Sequence, residues 1–256
     1  MRCKSYNQIG TNRTDSMPYG NTSLQAALNG GREHPAVPRT PEELAGEARA
    51  AVDAGATYLH FHPYDENGCQ TLEAEPCAKA IRAVRDACPG VPISLSTSAG
   101  IESDPERRHE LVAAWTERPD LVTANQGETG ILDLCELLVE RGIEIEAGLL
   151  SVDDANAFVE SGIASQCKRA LVEPLNSGVD DAVAHAESIE QTLDDNGIQL
   201  EQVHHGRGIA SWAVIRRAIR REHGIRTGLE DTTVLPDGCS AENNGELVAA
   251  AATLLE

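Results

Sequence analysis

An eight-stranded (β/α)8 TIM barrel is the architecture this sequence predicts, and three observations predict it. From Ser23 onward, short β-rich runs alternate strictly with helical patterns, and eight such runs can be counted. Strict alternation implies a parallel sheet with crossover helices. The 256 residues, 41% of them hydrophobic, match the roughly 250 typical of this barrel, and no Gly/Ser/Pro-rich linker divides them. An open doubly wound sheet is disfavoured, because Asn29-Gly30-Gly31-Arg32 after the first strand lacks the G-x-G-x-x-G spacing of a dinucleotide site. Residues 23–256 are therefore expected to form one barrel domain, preceded by a polar, aperiodic extension over residues 1–22.

The strands are expected at Leu24 to Asn29, Thr57 to His62, Ile93 to Ser98, Leu121 to Asn125, Ile143 to Ala147, Ala170 to Glu173, Gln202 to His205 and Arg226 to Glu230. Helix starts between them carry caps. Thr40-Pro41-Glu42-Glu43 reads as a capping box with proline at the first helical position, Asp104-Pro105-Glu106 as a second cap, and Ser151 with Asp154 as a third. Glycines close helices at Ala54-Gly55 and Ser161-Gly162.

Composition excludes several classes of function. A formal charge of −20 argues against nucleic acid or an anionic membrane as a partner. No apolar run has the length of a membrane span, and the first residues lack a signal-peptide core, so a cytoplasmic protein is expected. Seven cysteines without a C-x-x-C read as reduced thiols rather than a disulfide framework. Only three of the 21 basic residues are lysines, and with the acidic excess this suggests a halophilic protein adapted to a salty cytoplasm.

In a barrel of this kind chemistry gathers where the strands end. Here the predicted ends are strongly polar: Asn29 and Arg32, His60 and His62, Ser96 and Thr97, Asn125 and Glu128, Glu146, Glu173, His205 with Arg207, and Arg226 with Glu230 and Asp231. Side chains alternate along a strand, so His60 and His62 share a face with Phe61 opposite. Strands eight and two flank strand one, so Glu230 can meet both imidazoles. Two neutral histidines and one carboxylate suit Zn²⁺, with manganese or iron less favoured, and leave coordination positions open for a Lewis-acid reaction. Asp231 beside Arg226 is a candidate general base, although strand alternation would send it away from Glu230 unless the strand has already turned into a loop. Arg207, in His205-Gly206-Arg207-Gly208, is the candidate perch for an anionic group.

Several motifs in register sharpen this reading. LNGGREHPAVPRTPEEL, AGATYLHFHPYDENG, ISLSTSAGI, IEIEAGLLS, LVEP, VHHGRGIASW, RTGLEDTTVLPDG and ENNGELV, from about Leu24 to the C-terminus, resemble the β-keto acid cleavage enzyme family, whose founding activity is 3-keto-5-aminohexanoate cleavage. The resemblance implies a zinc-dependent barrel, usually a homotetramer, that converts a β-keto acid and acetyl-CoA into acetoacetate and a new CoA ester. It implies zinc on His60, His62 and Glu230, Asp231 as base with Arg226 as partner, and Ser96 and Glu146 around the substrate. Asn29, Arg32, Thr97, Asn125, Glu128, His205 and Arg207 are the further substrate-binding candidates.

After strand one this chain departs from the founding pattern. Arginine at position 32 stands where that activity has an acid for the substrate's amino group, which suggests a substrate with an anionic or hydrogen-bonding end. A slip of one residue in the glycine-rich segment would put Glu33 there instead. Two rival readings remain at this level: a metal-dependent aldolase or lyase that needs no CoA, and an inactive barrel that serves as a binding protein.

Overall fold

Alternation of apolar and polar residues along the strands sets the layers of this protein. The computed structural model describes residues 22–256, so nearly all of the extension expected over residues 1–22 lies outside the described residues. In chain order the elements are β1 (Leu24–Ala27), α1 (Pro41–Asp53), β2 (Tyr58–Phe61), α2 (Ala74–Ala87), β3 (Ile93–Ser96), α3 (Pro105–Ala113), β4 (Leu121–Asn125), α4 (Ile131–Glu140), β5 (Glu144–Leu149), α5 (Val152–Ser161), β6 (Arg169–Val172), α6 (Val179–Asp195), β7 (Glu201–His204), α7 (Ser211–Arg220), β8 (Gly224–Thr227) and α8 (Asn244–Thr253). Neighbouring strands pair in parallel, and β8 pairs with β1 through Gln25 and Arg226, which closes the sheet into a TIM barrel.

The caps form as their sequences demand. Thr40 and Glu43 make a reciprocal capping box, Asp104 accepts from the amides of Glu106 and Arg107, and Ser151 accepts from that of Asp154. Gly162 closes α5 in the left-handed region at φ 71°.

The apolar core lies between strands and helices, not inside the barrel. Leu59 and Phe61 of β2, Leu95 of β3, Ala147 of β5 and Val172 of β6 join Leu44, Ile81, Leu134, Phe158, Ile189, Trp212 and Leu247 from the helices in one buried cluster. Each large side chain withdrawn this way contributes roughly 1.5–3 kcal/mol. The barrel interior is polar instead. Gln25, His60, Ser94, Thr123, Glu146, Arg169 and Arg226 are all buried there.

Two strands differ from expectation in ways that matter. β5 continues through Gly148 to Leu149, so Glu146 sits in mid-barrel below the rim. β8 begins at Gly224 and stops at Thr227, so Glu230 and Asp231 belong to a turn rather than a strand. Gly228 ends that strand at φ 153°, where a side chain would collide with the carbonyl of Ala27.

Candidate metal centre

Two imidazoles on one face of β2 and its end supply the first part of the site. His60 Nδ1 lies 3.1 Å from Ser94 Oγ, and that hydroxyl gives its only proton to Glu146. His60 must therefore donate from Nδ1, which leaves a lone pair on Nε2. His62 Nδ1 lies 2.6 Å from Gln70 Oε1, an atom that can only accept, so its Nε2 is free as well. Gln70 reaches His62 from a small hairpin closed by a bridge between Tyr64 and Gln70. Asn29 steadies the same strand end, with its amide donating to the carbonyls of Pro38 and His62 and accepting from the amides of Gly30 and His62.

The turn after β8 supplies the carboxylates. Asn244 of the ENNGELV segment, wholly buried, accepts from Leu229 N and donates to Leu28 O, both at 2.8 Å, and so pins the turn against β1. Gly30 at φ 74° lets Glu230 pass close, since a Cβ there would lie 2.6 Å from Glu230 Cγ. Glu230 then faces both histidines, with Oε2 3.5 Å from His60 Nε2 and Oε1 3.4 Å from His62 Nε2. Ligands about 2.1 Å from a tetrahedral ion are roughly 3.4 Å apart, so these separations fit one divalent metal. The imidazole planes are inclined at 82°, which lets their lone pairs converge. His62 Nε2 and Glu230 Oε2 are buried with no hydrogen-bond partner among the described residues, as atoms reserved for a cation would be.

Electrostatics agree with that reading. Burial holds the His60 imidazole down to a pKa of about 3, hence neutral and able to coordinate. Burial alone would raise the Glu230 carboxyl, but the Arg226 guanidinium holds it well below the usual range. Asp231 is depressed for a similar reason: burial opposes it, while Arg226 and His205 outweigh burial. Arg226 donates to Asp231 from Nε (3.2 Å) and Nη2 (2.9 Å), and to Glu230 from Nη2 (2.6 Å). Because 228–231 is a turn, the base candidate and the ligand candidate face the same side.

The other rim residues divide. Arg32 donates to the carbonyls of Glu230 (2.6 Å) and Asp231 (2.7 Å), so it clasps the acid turn, whereas Glu33 is exposed. Arg32, Arg207 and Glu173 line a cavity of about 230 Å³ that opens beside Glu230 and Asp231. His205 is wholly buried between Asp231 (Nδ1 to Oδ1, 3.3 Å) and Glu173 (Nε2 to Oε2, 3.6 Å). Burial raises the Glu173 carboxyl above its ordinary value, against the pull of His205 and Arg226.

Ser96 is also buried, and its hydroxyl lies 3.4 Å from the amide of Ser98. Asn29 and Thr97, expected among the substrate contacts, have their polar atoms engaged by the fold. Thr97 donates to the carbonyl of Thr123, and Asn29 is engaged as described above. Asn125 and Glu128 likewise bond each other at 2.9 Å, and Glu128 is held by Arg108 at 2.5 Å.

Glu146, expected beside the substrate, is the centre of the polar interior. Gln25, Arg169, Ser94 and Thr123 all donate to it. Burial would raise its pKa, yet the Arg169 guanidinium and the hydrogen bond from Ser94 bring it down to about 2. Its position is behind His60, through Ser94, because β5 runs three residues beyond it. Sequence reasoning missed Ser94, Gln70, Arg169 and Asn244. Only the repeated polar residue at inward positions, as in LVTAN and IEIEAG, could have pointed to this interior.

Comparisons with known proteins come down on one family. Among curated proteins, the 3-keto-5-aminohexanoate cleavage enzyme of Fusobacterium nucleatum is 29% identical over 236 residues, covering 85% of this chain and 84% of that protein. The enzyme of the same description from Acetoanaerobium sticklandii is 26% identical over 232 residues, with the same coverage. The 3-oxoadipate:acetyl-CoA acetyltransferase of Cupriavidus necator is 29% identical over 105 residues, or 41% of this chain and 36% of that one. Among solved structures, the complex of ObcA with oxaloacetate superposes with TM-score 0.69 at 16% identity, over 86% of this chain and 63% of the other, a likeness of fold. The family model described as beta-keto acid cleavage enzyme matches residues 22–256.

Proposed function

This chain belongs to the β-keto acid cleavage enzyme family, and from that premise we propose that it joins a β-keto acid to acetyl-CoA and releases acetoacetate and a new acyl-CoA. The observation that carries the reading is the convergence of His60, His62 and Glu230, whose ligand atoms lie within 4.8 Å of one another with His62 Nε2 and Glu230 Oε2 buried and unpartnered, beside the Arg226–Asp231 pair. Zinc is the proposed ion, on the strength of a donor set of two imidazoles and one carboxylate. When bound, it supplies Lewis-acid charge that favours the enolate form of the β-keto acid.

The chain's own residues do the remainder. Asp231 takes a proton from the carbon between ketone and carboxylate, with Arg226 holding the carboxylate ionised and aimed. That carbon attacks the acetyl carbonyl, a C–C bond forms, the C–S bond breaks, and CoA leaves. CoA then attacks the original ketone carbon, the old C–C bond breaks, and Asp231 returns its proton to carbon. Arg32 fixes the backbone of residues 230 and 231, and with Arg207 it places positive charge at the mouth for an anionic portion of substrate or CoA.

The test is a screen of purified protein with β-keto acids and acetyl-CoA, with CoA esters read by mass and metal content measured in parallel. New CoA esters that vanish with chelation are expected. Consumption of β-keto acid without acetyl-CoA would point to lyase chemistry instead.

A further inference from the structure

The proposed sequence moves protons at two different atoms, a carbon and a sulfur, and the inference below rests on that acetyl-transfer reading. Asp231 serves the carbon. It is 3% exposed, and both its oxygens lie against Arg226. The sulfur of CoA, if it waits between the two halves as a thiol, gains a proton as it leaves and loses one as it attacks, which is work for a second acid-base group near the entrance.

Five ionisable side chains line the cavity beside the acid turn, Arg32, Arg207, Glu173, Glu230 and Asp231, and besides Asp231 only Glu173 is both able to exchange a proton and free of the candidate metal. Its side chain keeps 26% of its surface open to the mouth. Gly206 and Arg207, the candidate perch for the anionic part of CoA, line the same cavity. Behind Glu173, His205 stands between it and Asp231, at 3.6 Å and 3.3 Å, so the two acids address adjoining points of one space.

We propose that Glu173 is a second catalytic acid-base residue, the one that serves the CoA sulfur. In the first half, the C–S bond of acetyl-CoA breaks with its electron pair passing to sulfur, and the Glu173 carboxyl gives that sulfur its proton. In the second half, the Glu173 carboxylate takes the thiol proton back as sulfur bonds to the ketone carbon. Glu173 ends protonated, as it began, and no other reactant is consumed. Its loss of solvent favours the protonated form at the start, which suits a group that must act first as an acid.

Acetoacetate with carbonyl-¹³C acetyl-CoA is the probe, because the degenerate reaction moves label into acetoacetate whatever the natural β-keto acid is. Exchange of the acetoacetate C2 protons with D₂O, corrected for the spontaneous rate, reports Asp231 and needs no CoA. In the metal-loaded enzyme, Glu173→Gln is expected to keep C2 exchange near the wild-type rate while label transfer falls by about 100-fold or more. Glu173→Ala should regain label transfer with added formate, which covers a glutamine variant that does not fold. Unimpaired transfer in Glu173→Gln, equal loss of both reactions, or no formate rescue in Glu173→Ala would overturn the assignment and leave the acetyl-transfer reading standing. Wild-type enzyme that exchanges C2 protons but moves no label would remove both.

Discussion

Two clusters in this barrel offer the same three donors, two histidines and a glutamate, and only one of them is shaped to hold a metal. At His60, His62 and Glu230 the rings are nearly perpendicular, with centroids 5.5 Å apart, and each Nδ1 is occupied by a partner that frees Nε2. At Glu190, His204 and His223 the rings are stacked, 4.6 Å apart and 8° from parallel. Imidazole lone pairs lie in the ring plane, so parallel stacked rings cannot both aim at one ion. Glu190 is also already held by Arg217, by Arg221 at 2.7 Å and by His223 at 3.1 Å. Donor type thus decides little until ring orientation and competing cations are known.

The largest effect should come from the converging cluster. Glu230→Gln is expected to strip the metal and abolish acyl-CoA formation, a loss well beyond the roughly 100-fold that changes to groups supporting the ligands produce. Metal analysis and turnover check it together, and full metal content in this variant would erase the distinction between the clusters. Asp231→Asn should separate chemistry from coordination. Turnover should fall roughly 10²–10⁴-fold while metal content is unchanged, and parallel loss of metal would make Asp231 a support of the ligands instead.

A smaller effect isolates the role of ring orientation. Gln70 accepts from His62 Nδ1, so Gln70→Ala frees that ring to turn and should weaken metal binding by about 10–100-fold. Gln70→Glu, a stronger acceptor, should restore it. Competitive chelator titration measures both, and wild-type affinity in the alanine variant would show that the strand alone orients His62.

How much of this was legible in the sequence follows from the range of each interaction. The His60–His62 face could be read because a strand's period is two and Phe61 is plainly apolar. Glu230 could be paired with them because β8 must close on β1 in a barrel. The reach of Asp231 could not, since it depends on a single backbone rotation at Gly228 that a one-letter pattern does not encode. Glu146 was expected too near the rim because Gly148-Leu149 carries no polar signal of a continuing strand. An amide such as Asn29 reads alike whether it faces a substrate or four backbone atoms. Gln70 becomes a partner of His62 only after the hairpin over residues 64–70 has folded.

The stacked cluster gives the mildest prediction, and one of opposite kind. Glu190→Gln should leave metal content and turnover unaltered but lower stability, because Arg217, nearly buried, loses its carboxylate. Breaking a buried pair of this sort costs about 3 kcal/mol, with little added by the exposed Arg221. Burial would raise the Glu190 carboxyl, but His223, Arg221 and Arg217 lower it from 4.5 to about 2. A carboxyl depressed in the folded state contributes stability that is complete above its unfolded pKa and is lost as pH falls through the folded one. The gap between wild type and Glu190→Gln in urea unfolding should therefore be widest above pH 4.5 and close toward pH 2. A gap independent of pH would mean that the glutamate acts by packing alone. A loss of metal would mean that the two clusters are not the contrasting pair their ring planes make them.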